Sequence, residues 1–146
     1  MSLAAKRSLP IKQCVAFLQD KLFERARAAL QEAGTLNHWT ELSRNVSGKS
    51  IDELAEEESM MDSVLFHQDR FEIMIDARGF RPEDVKCSMT PNVVEVLAQK
   101  QEKVNSTTRT ISLTRTYQLP QVIKPEEGTC YLSSEGLLLI TAPWLK

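Results

Sequence analysis

Asp69 to Val85 reads DRFEIMIDARGFRPEDV, and the fold turns on this stretch. Phe71, Ile73 and Ile75 alternate with Glu72, Met74 and Asp76, the period-two pattern of a strand with one apolar face. Gly79-Phe80-Arg81-Pro82 then breaks the pattern as a turn. Val85, Cys87 and Met89 resume it until Thr90-Pro91-Asn92. Further on, Val94, Val96 and Ala98 alternate with Glu95, Leu97 and Gln99. Arg109 to Leu119 is a long Thr/Ile/Leu/Tyr-rich run stopped by Pro120. Thr129–Leu132 and Leu137–Thr141 flank Ser133-Ser134-Glu135-Gly136, a hairpin turn. About six short strands with turns at near-regular spacing predict a mainly β chain folded as a β-sandwich.

Upstream the texture is different. From Pro10 the apolar residues Ile11, Val15, Leu18, Leu22, Ala26, Ala29 and Ala33 fall in steps of four and three. That spacing predicts an amphipathic helix over about residues 10–33, with Ser8 as its cap and Gly34 as its stop. Ile11, Val15, Leu18 and Leu22 form its apolar face. A stripe this apolar needs cover, either from its own domain or from another chain. Residues 34–50 read as a polar linker carrying Trp39. Ser50 with Glu53 makes a capping-box pattern, so a short acidic helix is expected in IDELAEEESMM. The chain thus divides into an N-terminal extension (1–61), a β domain (62–143) and a short tail (144–146).

Composition narrows the function classes. A hydrophobic content of 42% with 26% charged residues is that of a folded soluble chain. The net charge of −2 is unevenly laid out: residues 1–50 carry eight basic against four acidic side chains, and residues 51–72 carry eight acids with Arg70 alone. Such neighbours either attract one another or form two differently solvated faces. The basic charge is too dilute to argue for nucleic acid. No segment approaches the ~20 apolar residues of a membrane span. Cys14, Cys87 and Cys130 are odd in number and widely spaced, which fits reduced thiols in the cytoplasm, with the nucleus as a second compartment.

A catalytic reading finds no footing. His38 and His67 are the only histidines, and neither has a partner at ligand spacing. No nucleophile elbow, phosphate loop or dinucleotide motif occurs. Asp76, Glu83 and Asp84 sit beside Arg78 and Arg81, where surface ion pairing is the expectation. No catalytic residue, metal or cofactor is therefore expected.

Four ordered landmarks resemble the α-crystallin domain of animal small heat-shock proteins. DRFEIMIDARGFRPEDV is similar to the family's opening strand and its hydrophobic-x-P-E-D turn; VVEVLAQKQEK (Val93–Lys103) to its next long strand; RTYQLP (Arg115–Pro120) to its R-x-Y-x-L-P ending; and LSSEGLLLITAP (Leu132–Pro143) to its L-S-x-E-G-x-L-x-I-x-A-P signature. The resemblance implies an immunoglobulin-like sandwich with a helical N-terminal extension. It also implies an ATP-independent holdase that binds partly unfolded, aggregation-prone proteins. Self-association into a dimer or small oligomer is expected, with other small heat-shock proteins as further partners. The implied dimer strand carries Arg109, Ile111, Leu113, Arg115 and Tyr117. The implied client groove is lined by Cys87, Met89, Cys130 and Leu132, residues that would serve equally as ordinary core-edge packing. Were Cys87 and Cys130 to face each other, oxidation would close that groove.

Two departures from the family pattern bear most on the expectations. The chain ends at APWLK, without the I-x-I/V motif that docks into a neighbour's groove, which favours small assemblies and leaves Trp144 and Leu145 as a poor substitute. The loop EKVNSTTRT lacks the acidic run that pairs with the interface arginine, so Arg115 is either exposed or finds another partner. An adaptor subunit with one defined partner is the alternative function these departures favour.

Overall fold

The computed structural model describes residues 7–13, 16–44 and 62–145. The acidic helix expected within residues 51–61, together with Cys14 and Val15, lies outside the described residues. Among the described residues, nine strands and two α-helices follow one another as β1 (Arg7–Leu9), β2 (Ile11–Gln13), α1 (Glu24–Ala33), α2 (Leu36–Arg44), β3 (Ser63–Phe66), β4 (Arg70–Asp76), β5 (Val85–Met89), β6 (Val93–Val104), β7 (Thr107–Gln118), β8 (Thr129–Leu132) and β9 (Leu137–Pro143). They form two sheets in the orders β1-β5-β6-β7 and β2-β8-β9-β4-β3. The β-sandwich expected from alternation is therefore present.

Alternation explains the core between the sheets. Val85, Cys87 and Met89 from one strand, Val94, Val96 and Ala98 from the next, and Leu113 from β7 meet Phe71, Ile73, Ile75, Cys130, Leu132, Leu138 and Ile140 from the opposite sheet. At roughly 1.5–3 kcal/mol per buried large apolar side chain, this cluster is the main source of the sandwich's stability. Gly136, at φ +98°, makes the β8–β9 turn, and a Cβ there would stand 2.6 Å from the Arg78 Cα.

β4 departs from the simple pattern, being buried along both faces. Its outward residue Met74, with Leu137 and Leu139 of β9, is covered by Phe17, Phe23, Ala26, Leu30, Trp39 and Leu42. The helical region is thus a third layer on the second sheet. It is pinned by the Trp39 indole N–H donating to Ser63 Oγ at 2.8 Å and by the Phe17 backbone N–H donating to Glu135 at 3.0 Å. The run LLLI at 137–140 carries the signal for this, because four consecutive apolar residues suit a strand covered on both sides.

Several expectations are corrected here. The helix expected over residues 10–33 begins only at Glu24, and Ile11 and the proposed cap Ser8 are in strands. Leu18 lies in a turn and is exposed, and Leu22 falls in the 3-10 turn Lys21–Phe23. Gly34 does end α1, at φ +80°. Residues 36–44 are helical instead of a linker, and Trp39 is fully buried. The missed signal was Leu36, Trp39 and Leu42 at steps of three. Asp76 and Arg78 form a buried pair instead of a surface one, with Arg78 Nε and Nη2 each donating to the carboxylate at 2.8 Å. Trp144 is core and not tail: it is 3% exposed, bridges to Ile123 and packs on Phe71.

Candidate functional site

Two surfaces follow from this architecture: the groove where β5 and β8 border the sandwich, and the open edge of β7. On β5, Cys87 and Met89 point inward; on β8, Cys130 and Leu132 do so. All four belong to one buried cluster, so the side chains expected at the groove are brought together.

The groove is already filled. Arg7 to Gln13, RSLPIKQ, runs along it as an extended strap, first antiparallel to β5 and then parallel to β8. Leu9 stands opposite Cys87, and Ile11 opposite Cys130. Pro10 lies between them, where its missing N–H and fixed φ suit a break between two short strands. Leu9 is buried in the sandwich core and Ile11 packs on it half-buried. Gly128 makes room for this arrangement, since a Cβ there would lie 2.6 Å from Met89 Sδ and 3.2 Å from Leu9 Cδ1. On the outer side Lys12 places its ammonium 5.7 Å from the Tyr131 ring centre. The helical stripe read from the sequence hid this strap, because Ile11 satisfies both periods.

The two groove thiols are free and lie in hydrogen-bonding contact with each other. That contact, and then burial, pushes the Cys130 thiol far above its ordinary pKa. A protonated, dry thiol is a poor nucleophile.

β7 is the edge of its sheet, with β6 on one side only. Arg109, Ile111, Leu113, Arg115 and Tyr117 share one face, and it turns toward the sandwich: Leu113 is buried, and Ile111 and Tyr117 pack on the core. Arg115 finds a partner within the chain, its Nε donating to Asp62 Oδ2 at 3.1 Å. The Tyr117 hydroxyl donates to the same carboxylate oxygen. Burial first, and the Asp62 contact second, raise the Tyr117 pKa well above the usual tyrosine range. Arg109 pairs with Glu102 of β6 at 2.6 Å. The outward side chains of β7 are Thr108, Thr110, Ser112, Thr114 and Thr116, all exposed. What this edge offers another chain is backbone donors and acceptors under a small polar surface.

Among the described residues, several of the remaining polar groups pair with one another. His67 Nε2 lies 2.8 Å from the buried Glu72 carboxylate, which also accepts from Arg70 at 3.3 Å. Glu83 and Asp84 pair with the exposed Arg81. Among the described residues no three His, Cys, Asp or Glu side chains converge as a metal set, and no helix is long and apolar enough to cross a membrane.

Comparison with known proteins agrees with this architecture. The rat alpha crystallin domain superposes with a TM-score of 0.50 at 29% identity, over 59% of this chain and 91% of that one. Stress-induced protein 1 from Caenorhabditis elegans superposes at 0.52 and 23% identity, over 56% of this chain and 84% of that one, a likeness of fold. In sequence, the protein lethal(2)essential for life of Drosophila melanogaster is 29% identical over 123 residues, 81% of this chain and 58% of that protein. The alpha-crystallin B chain of Squalus acanthias is 33% identical over 79 residues, 52% of this chain and 44% of that protein. The chain spans about half the length of the curated relatives it matches. The family model for Hsp20/alpha crystallin matches residues 63–146, which is the β domain with both its groove and its open edge, and the chain belongs to that family.

Proposed function

We propose that the chain is an ATP-independent holdase, binding partly unfolded proteins and keeping them from aggregating, in the manner for which the small heat-shock family is known. The observation that carries this reading is the strap. A groove that holds Leu9-Pro10-Ile11 by strand addition on both sides is built to take an extended apolar segment. Its lining of Met89, Cys87, Cys130 and Leu132 is soft and polarizable, which suits many apolar sequences over one. Burial of apolar area is non-directional, so recognition of this kind is broad.

The open edge of β7 supports self-association into a dimer or small assembly, and mixed assembly with related chains, through the backbone of Arg109–Tyr117. The reduced buried pair Cys87 and Cys130 supports work in a reducing compartment, the cytoplasm first. Nothing in the geometry calls for a nucleic acid, a cofactor or a catalytic group in this role.

The test is light scattering from a heated or chemically reduced client protein, with no ATP, at near-stoichiometric amounts of the chain. Suppression is expected, and it should strengthen when Leu9→Asp and Ile11→Asp together displace the strap. Absence of suppression at every ratio, with and without those substitutions, overturns the reading.

A further inference from the structure

Two thiols lie under the strap. Cys87 is 2% exposed and Cys130 is fully buried, and they come from opposite sheets of the sandwich, β5 and β8. Both face the core of the sandwich within one buried cluster, and each stands in register with a strap residue, Leu9 or Ile11, on either side of Pro10. A disulfide needs Cβ atoms about 3.5–4.5 Å apart, so closing the bond draws β5 and β8 toward each other at this end of the sandwich. We propose that Cys87 and Cys130 are a thiol–disulfide site that joins the two sheets, shielded by the strap and oxidised by a small disulfide such as oxidised glutathione when the strap opens. This deepens the groove reading, because the joined cysteines would form the groove's floor.

The surroundings assign the order of events. Cys87 borders a hollow of about 400 Å³ lined by Ser8 to Ile11 and by Pro82, Glu83, Val85 and Lys86, and a second of about 310 Å³ on the far side of β5; Cys130 lines neither. With the strap open, Cys87 stands nearer the openings and in the proposal reacts first. It loses its proton, attacks one sulfur of the oxidant and expels the first thiolate, leaving a mixed disulfide on Cys87. Cys130 then loses its proton and attacks the Cys87 sulfur, expelling the second thiolate. The balance is two protein thiols and one small disulfide giving one Cys87–Cys130 disulfide and two small thiols, which take up the two protons. Local opening of a seven-residue strap is far cheaper than global unfolding, so the strap sets the rate. Once formed, the bond ties β5 to β8 and keeps the groove from widening.

The experiment uses the full chain carrying Cys14→Ser, incubated with oxidised glutathione under native conditions and followed by mass mapping of non-reduced peptides. A Cys87–Cys130 cross-link is expected. It should form roughly tenfold faster or more with Leu9→Ala, which weakens the strap's main anchor. Adding Cys130→Ser should trap one glutathionyl group on Cys87, whereas Cys87→Ser should leave Cys130 unmodified. Circular dichroism checks that each variant is folded, and Ile11→Ala replaces Leu9→Ala if that variant is not. A cross-link seen only in denaturant, or equal rates with and without the strap anchor, or an adduct on Cys130 in place of Cys87, overturns the proposal. Peptide mapping reads the bond itself, so it stands or falls separately from holdase activity.

Discussion

At the scale of single residues, Gly136 and Asp76 carry the tightest constraints. Gly136 holds a left-handed φ with its missing Cβ pressed toward the Arg78 backbone, and backbone cannot swing aside as a side chain can. Gly136→Ala is expected to lower stability by about 2 kcal/mol or more, read as a fall in the urea midpoint with unchanged slope. Asp76 neutralises Arg78 where water does not reach. Asp76→Asn leaves a buried cation with half its partner, and a loss of about 3–5 kcal/mol is expected in the same measurement. Tyr117 gives a pH signature of the other sign from a paired carboxylate. Its pKa is raised in the folded chain, so its contribution is complete below the unfolded value of about 10 and is lost as pH rises beyond it. The stability difference between the chain and Tyr117→Phe should therefore shrink in alkaline denaturation series and stay level below about pH 9.

At the scale of elements, the strands of the β domain were legible because each has a polar neighbour at every other position and a turn residue at its end. Val85-Cys87-Met89 and Leu132-to-Leu137 with its Gly136 turn are found where alternation puts them. That Cys87, Met89, Cys130 and Leu132 share one buried cluster was legible for the same reason, since inward positions on facing strands meet in the core. The strap was not, because Ile11 finds its partner at Cys130, far along the chain, and a local period cannot report a distant pairing. Glu72 and Asp76 misled in a related way. They occupy the polar positions of β4, yet a helical layer covers that face and each acid is buried with a cation or histidine. The layer makes its own prediction. Trp39→Ala removes its largest buried side chain and the Ser63 contact, and should cost about 3–5 kcal/mol while raising the binding of an apolar dye to the uncovered sheet.

For the whole molecule, the two sheets have four outer edges, and the chain treats them in pairs. On one side the strap lies along β5 and β8; on the other, β7 and β3 are the outermost strands among the described residues, spanned by Asp62 reaching from beside β3 to Arg115 and Tyr117. Removing residues 1–13 should therefore change assembly size, and chromatography with light scattering would read it: a dimer or small oligomer for the full chain, longer species for the truncated one. Unchanged size would show that the strap plays no part in assembly.

If assembly runs through these edges as proposed, the strap would set the valence of the protein as a building block. A unit able to accept strands on two opposite sides is a monomer for polymerisation, and each addition leaves a fresh end. A unit with one side stoppered by its own peptide can only terminate growth. On that reading, seven residues around a single proline would decide whether this fold is a link or an end-piece.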